Sequence, residues 1–326
     1  MSKMLYNEIP SLDLKDFTDG DKAAKMKFVA DLGQAYNNIG FVAIKGHYLN
    51  DELSKRLYEA VEQFFQLPIE TKRGYEKTEL AGQRGYTSSG REQAKGHSVP
   101  DLKEFYQIGQ FVGKEHPLKK EYPDNMWPTE IPDMGTIAKE VYQKLENTGF
   151  EMLKAIALYL ELPENYFDDK VKDGNSILRA IHYPPIENPA ALPVGAVRAA
   201  QHGDINLITL LMGASADGLE VLRKDGEWIP ITALPNQLVV NVGDMLARLT
   251  NDKLKSTIHR VVNPPKEKMK NSRYSIPFFM HPKSVMDLTC LADCVSEENR
   301  KQYPDTTAGE FLNQRLAEIG LASKSK

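Results

Sequence analysis

Gln201-His202-Gly203-Asp204, Thr257-Ile258-His259-Arg260 and Arg273-Tyr274-Ser275 mark out the part of this 326-residue chain whose reading decides the fold. Around them, apolar and polar residues alternate in short runs broken by Gly and Pro. This pattern predicts strands near 176–183, 204–212, 218–223, 227–231, 237–241, 255–263 and 272–280. Many short strands joined by frequent turns predict a sandwich or jelly roll, not a parallel sheet. Residues two apart on an extended strand share a face. His202 and Asp204 therefore point together, with Gly203 leaving room between them. His259, from a distant strand, can then complete a set of two imidazoles and one carboxylate around one point. That set leaves positions open on a non-haem ferrous ion for O₂ chemistry. Arg273 and Ser275 also share a face, on the strand after the one that carries His259. A guanidinium fork beside a hydroxyl is shaped to grip a carboxylate.

Working outward, Ile9 to Leu14 alternates as a short strand, and Asp21 caps a helix with a stripe of Phe28, Val29, Leu32 and Tyr36 ending at Gly40. Phe41 to Ile44 reads as a buried strand. Asn50 caps a second helix through Leu53, Leu57, Val61, Phe64 and Phe65, which stops at Pro68. The first stretch is thus β-α-β-α. Residues 78–100 are rich in Gly, Ser and charge and lack apolar periodicity, the profile of a long functional loop. Arg84 and Tyr86 within it are the candidates for substrate contact. Pro132 to Leu162 predicts one long helix striped by Ile137, Val141, Leu145, Met152 and Ile156. The organisation expected is an N-terminal α/β region (1–120), a helical segment (121–175), a β core (176–285) and a helical tail (286–326), packed as one unit.

An apolar content of 41% supports a large core, while a net charge of −4 and a pI near 6.0 make no electrostatic case for nucleic acid or anionic membrane as partner. No window approaches the ~20 apolar residues of a membrane-spanning helix, and Met1 to Asp13 has no apolar signal core. The compartment expected is the cytoplasm. Cys290 and Cys294 are the only cysteines. Their spacing suits neighbours on one helical face, as free thiols and not as a disulfide framework.

The same motifs, in this order, resemble the isopenicillin N synthase-like family of non-haem Fe(II) oxygenases, most of which use 2-oxoglutarate. The resemblance runs from Gly40-Phe41 and Phe64-Phe65-Gln66-Leu67-Pro68 through Tyr183-Pro184-Pro185. It continues through Asp217-Gly218-Leu219-Glu220-Val221 and Val239-Val240-Asn241-Val242-Gly243-Asp244 to the three segments quoted first. It implies a double-stranded β-helix (jelly-roll) core flanked by N-terminal α/β and helical segments. His202, Asp204 and His259 would hold Fe(II). Arg273 and Ser275, with the Tyr183 hydroxyl, would hold the distal carboxylate of 2-oxoglutarate, with O₂ as the other cosubstrate and a small molecule as substrate.

Two departures bear on this. Ile181 stands where many members have Asn, and Asp204 keeps the carboxylate that related halogenases lack, which argues against halogenation. Other readings of the same residues are an oxidase of the isopenicillin N synthase kind that needs no 2-oxoglutarate, a zinc hydrolase using the same ligands, and a non-catalytic jelly-roll binding module.

Overall fold

The computed structural model describes residues 6–91, 101–188, 192, 196–213, 217–231 and 236–321. Among the described residues, twelve strands form two sheets. The first four are β1 (Ser11–Asp13), β2 (Phe41–Lys45), β3 (Gly85–Thr87) and β4 (Glu104–Gly109). After them come β5 (Ile177–Tyr183), β6 (Ala199–His202), β7 (Ile208–Met212) and β8 (Leu219–Leu222). The last are β9 (Trp228–Pro230), β10 (Leu238–Val242), β11 (His259–Val261) and β12 (Arg273–Met280). The larger sheet runs β1-β2-β10-β7-β12-β5-β4-β3 and the smaller β6-β11-β8-β9. Apart from the parallel β1–β2 pair, every pairing is antiparallel.

Helices α1 (Leu14–Thr18), α2 (Lys22–Asn38), α3 (Asp51–Gln66) and α4 (Ile69–Gly74) lie near the start of the chain. The long α5 (Met134–Tyr159) and short α6 (Asp168–Val171) follow, and α7 (Asp244–Leu249) and α8 (Ala308–Glu318) come after β10 and near the end. Local chemistry sets the helix starts. The Asp21 carboxylate accepts from Ala24 N–H at 2.9 Å and the Asn50 side chain from Leu53 N–H at 2.8 Å, which satisfies amides the helix leaves bare. Helix α5 buries Ile137, Val141, Leu145, Met152 and Ile156 against α2, α3, β7 and β12.

The N-terminal strands are not a separate layer. β2 pairs with β10 and β4 with β5, so both extend the sheet that carries the core. Residues 78–100, expected as loop, contain a 3₁₀ turn at Thr78–Leu80 and the edge strand β3; residues 92–100 lie outside those described. Tyr86 explains the difference. It pairs with Tyr106 across the β3–β4 ladder and packs its ring 6.0 Å from Phe64, so a polar-looking segment is pinned by one buried aromatic. Cys290 and Cys294 do not share a helix; both are buried and free.

Candidate active site

One cavity of about 490 Å³ opens between the two sheets. On β5, Ile177, Arg179, Ile181 and Tyr183 face it, and on β12 and just beyond, so do Arg273, Ser275, Pro277, Phe279 and His281. Both runs have period two, so the antiparallel pair presents one continuous wall. Cα pairing sets Arg273 opposite Tyr183 and Ser275 opposite Ile181.

The smaller sheet brings His202 and His259 directly opposite each other on β6 and β11, with ring centres 4.5 Å apart. Asp204 lies just past the end of β6, so strand alternation alone does not aim it. Its backbone carbonyl accepts from Asp244 N–H at 2.7 Å. Its Oδ2 accepts from Thr209 Oγ1 at 2.6 Å and from Asn241 Nδ2 at 2.8 Å. Oδ1 then lies 3.7 Å from His259 Nε2. Gly203 is required by Asp244, because a Cβ there would sit 2.9 Å from Asp244 Oδ1 and 3.0 Å from Ser256 Oγ. One ligand atom from each of His202, Asp204 and His259 falls within 4.8 Å of the others.

The donor set can be tested against a metal. A carbonyl oxygen only accepts, so a ring nitrogen bonded to one must carry the proton. His202 Nδ1 bonds Ala200 O at 2.7 Å and His259 Nδ1 bonds Thr257 O at 3.2 Å. Each Nε2 is thereby left with its lone pair, the tautomer a cation needs. Burial, then the neighbouring His259, pushes His202 down to about 4. Burial pushes the Asp204 carboxyl up, but His259, His202, Asn241 and Thr209 outweigh it and hold it below the ordinary value. Two imidazoles that can each present Nε2 and one carboxylate fit a ferrous ion.

Arg273 is 1% exposed, Ser275 5% and Tyr183 3%, and the Arg273 guanidinium carbon lies 5.0 Å from the Tyr183 ring centre. Arg273 Nε donates to Asp217 O at 3.3 Å. Arg198, which sequence reading passed over, is buried within 5.9 Å of the Tyr183 ring centre and donates to Asn271 O at 3.0 Å. Burial, then the Arg273 charge, pushes its pKa down. Two buried guanidiniums thus lie around one tyrosine ring.

Arg84 and Tyr86 are not brought to the cavity. The Arg84 guanidinium lies on Gly109, where a Cβ would come within 1.8 Å of its Cζ, and it donates to Gln83 O at 2.7 Å and Pro123 O at 3.2 Å. The Tyr86 hydroxyl donates to Glu104. Both are buried and turned into the protein, which corrects the expectation of substrate contact. The cavity wall instead carries Arg179 opposite Gln107 on β5 and β4, and the buried Lys103–Asp101 pair at 2.8 Å. Helix α8 adds Leu312, Arg315 and Leu316, with Arg315 Nη2 3.3 Å from Asp244 Oδ2. Arg179 was findable, since it shares the β5 face of Tyr183; α8 was not, because nothing local marks where a tail helix docks.

A jelly roll with a His-Asp-His cluster and a buried arginine corner defines the class, and the comparisons agree. Residues 9–130 match the family described as non-haem dioxygenase in morphine synthesis N-terminal, and residues 174–282 match the 2OG-Fe(II) oxygenase superfamily. The chain belongs to the Fe(II)- and 2-oxoglutarate-dependent dioxygenases, oxidoreductases that use Fe(II), 2-oxoglutarate and O₂. The oxidase, hydrolase and binding-module readings are not favoured. A protein of the 2OG-Fe(II) oxygenase family from Caulobacter crescentus has 43% identity and a TM-score of 0.85, covering 95% of this chain and 99% of that one. A Neurospora crassa protein, solved at full length in complex with alpha-KG and thymine, has 32% identity and a TM-score of 0.83, covering 95% and 96%. The 2-oxoglutarate-Fe(II) type oxidoreductase hxnY of Emericella nidulans is 33% identical, over 93% of this chain and 88% of its own length. No helix among the described residues is long and apolar enough to cross a membrane.

Proposed function

We propose that His202, Asp204 and His259 hold the iron, that Arg273, Ser275 and Tyr183 hold the distal carboxylate of 2-oxoglutarate, and that the chain hydroxylates a C–H bond of a small molecule. The observation that carries this is the pair of committed Nδ1–H groups, which leave the Nε2 of each ring for a cation, with one ligand atom from each of His202, Asp204 and His259 within 4.8 Å of the others. When bound, iron supplies with O₂ the oxidising power to break an unactivated C–H bond. The balance is R–H, O₂ and 2-oxoglutarate to R–OH, succinate and CO₂.

The chain's own residues bind and orient. Thr209 and Asn241 fix which Asp204 oxygen meets the metal. Arg273, held through Nε by the Asp217 carbonyl, presents its guanidinium to the carboxylate beside the Ser275 hydroxyl. Phe41, whose ring lies edge-on 5.5 Å from that of His259, helps keep water from the metal. The stretches 1–120, 121–175, 176–285 and 286–326 act as one unit in this reading, since β2, β4 and α8 all border the cavity-bearing core. The buried free cysteines suit the cytoplasm.

A volume of this size lies in the range of small-molecule sites, and thymine in the Neurospora crassa complex is a ligand of that scale. The test is anaerobic titration of the Fe(II)-loaded chain with 2-oxoglutarate, followed by succinate measurement in air. One iron and one 2-oxoglutarate per chain are expected. Binding of neither would overturn the proposal.

A further inference from the structure

Helix α8 reaches the cavity from near the end of the chain, and its two halves are held in different ways. Main-chain hydrogen bonds tie down the first turn. Leu288 N–H donates to the Thr306 carbonyl, Ala308 N–H to that of Met286 and Gly309 N–H to that of Ser284, each at 2.9 Å. Thr307 and Glu310 close a capping box across the same turn. Gly309 is needed there, because a Cβ would come within 2.9 Å of the Ser284 Cβ and 3.2 Å of its carbonyl oxygen.

From Phe311 onward, among the described residues, every main-chain hydrogen bond closes within the helix, its cap or its end. Leu312, Arg315, Leu316 and Ile319 stand at helical spacing on one face and line the cavity. Of these four only Leu316 is buried. Arg315 ties this face to the core. Its Nη2 lies 3.3 Å from Asp244 Oδ2, and its Nη1 donates to Glu318 Oε2 at 2.9 Å. Asp244 is the fixed half of the pair. Ser256 Oγ donates to its Oδ1 at 2.6 Å, and its own N–H donates to the Asp204 carbonyl at 2.7 Å.

The Arg315 and Asp244 side chains are 16% and 28% exposed, so water reaches the contact. Arg315 Nε, in contrast, is buried and meets no acceptor among the described residues. A buried N–H left unmet is unfavourable. The closed position therefore gains an ion pair and loses a hydrated N–H. These opposed effects are both modest, the balance a movable element requires.

We propose that α8 is a gate over the cavity, hinged at residues 306–309 and latched by Arg315 on Asp244, which opens to pass the small molecules that bind beside the triad. The identity of one of them, 2-oxoglutarate, rests on the reading given above. The latch lies eight residues beyond the Thr307 cap, roughly 12 Å at ~1.5 Å per residue. A small rotation about the first turn would therefore lift Leu312, Leu316 and Ile319 from the cavity together. The residues assigned to the distal carboxylate lie on β5 and β12, none on α8. The gate thus governs how fast 2-oxoglutarate enters and leaves and not how tightly it is held, since a ligand with equal affinity for two states shifts neither.

The experiment compares the full chain with Arg315→Met, which keeps the apolar stem and withdraws the charge, and with Arg315→Lys, which keeps the charge. Hydrogen exchange is followed by mass spectrometry without cosubstrate. In Arg315→Met the amides of 311–319 should exchange about two- to fivefold faster, the range for a part-exposed ion pair, because a short helix out of contact frays. The hinge amides of Leu288, Ala308 and Gly309 should keep their rates, and Arg315→Lys should fall between. Anaerobic stopped-flow mixing of the Fe(II)-loaded chain with 2-oxoglutarate gives the second readout. Association and dissociation should rise together by the same factor, with Kd and iron content unchanged.

Either readout unchanged in Arg315→Met would overturn the gate. So would a Kd shift carried by dissociation alone, which marks a ligand contact, or iron loss, which marks a brace for the Asp204 turn. Equal acceleration at the hinge amides would overturn it as well, since the tail would then detach whole. If the unaltered chain binds no 2-oxoglutarate, the site reading fails, and hydrogen exchange alone decides the latch.

Discussion

Two buried clusters join histidine to carboxylate, and among the described residues only one of them has the form of a metal site. On the back of the β4–β5 ladder, Glu104 receives Lys72 Nζ at 2.9 Å on both oxygens, the Tyr86 hydroxyl, and His182 Nδ1 at 2.8 Å. His182 Nε2 meets Ser272 Oγ at 2.9 Å, and its ring stacks on Tyr274 at 4.8 Å. Every polar atom there is answered by another within the cluster. Burial pushes Glu104 up, yet His182, Tyr86 and Lys72 outweigh it and leave it below its ordinary value. In the front cluster the outer nitrogens and Asp204 Oδ2 are answered by the protein, while three inner lone pairs converge on the cavity. A satisfied network fastens strands. Convergent lone pairs call for a cation.

The strongest way to break this contrast is His259→Ala. Two remaining ligands hold iron poorly, so metal content and turnover should both fall to background. Stoichiometric iron in that variant, measured by atomic absorption, would show that the front cluster is not the metal site. Arg273→Ala should come next in size. Leaving a buried carboxylate unpaired costs about 3–5 kcal/mol, several hundredfold or more in 2-oxoglutarate affinity, with iron still bound. Calorimetric titration checks it, and an unchanged affinity removes Arg273 from the clamp.

Acid should also separate the clusters. His202, ordinarily near 6.5, is lowered to about 4 in the fold, as is His281. The unfolded chain therefore takes up protons first, and the stability these residues contribute is present above about pH 6.5 and lost as pH falls toward 4. Iron loading should hold from pH 7 to pH 5 and weaken only as pH falls toward 4, where protons begin to compete for His202 Nε2. Iron already lost at pH 5 would contradict the lowered value of His202.

A smaller effect is expected from Thr209→Val, which removes one hydrogen bond from Asp204 Oδ2. Losses of this kind cost about 10–100-fold in metal affinity. The sharper readout is a comparison with Asn241→Ala. If Oδ2 is the oxygen turned from the metal, both substitutions should weaken iron without touching 2-oxoglutarate affinity.

Much of this was legible in the sequence alone. Period-two alternation is a local property, and it located β5, β8, β9, β10 and β12 and the shared faces of Arg273 with Ser275 and of Arg179 with Tyr183. The chemistry of His202, Asp204 and His259 was readable as a set because few residue types offer lone pairs in that combination. What failed was non-local. His202 ends a strand, β6, that begins at Ala199, ahead of the strand predicted at 204–212, which itself begins only at Ile208. Asp204 is aimed by Thr209, Asn241 and Asp244, not by a strand. Arg84 had the look of a loop arginine, but its destination was decided by the absence of a side chain at Gly109 on another strand. Helix α8 closes the cavity through Arg315 and Asp244, a pairing between elements with no shared pattern.

The back cluster yields the smallest expected effect on chemistry and the most direct check of the contrast. His182→Phe keeps an aromatic ring against Tyr274 and Phe65 but withdraws a donor from Glu104 and a partner from Ser272. Glu104 still has Lys72 and Tyr86, so the loss should be about 1–3 kcal/mol of stability, the range for an unmet buried group, read by urea denaturation. Iron content and 2-oxoglutarate affinity should stay at their original values. His182 and Tyr183 are neighbours on one strand facing opposite ways, so the variant asks whether the two faces of β5 are energetically separate. If iron or 2-oxoglutarate binding fell with stability, the back network would be holding the clamp in register, and the division between fastening and function would not survive.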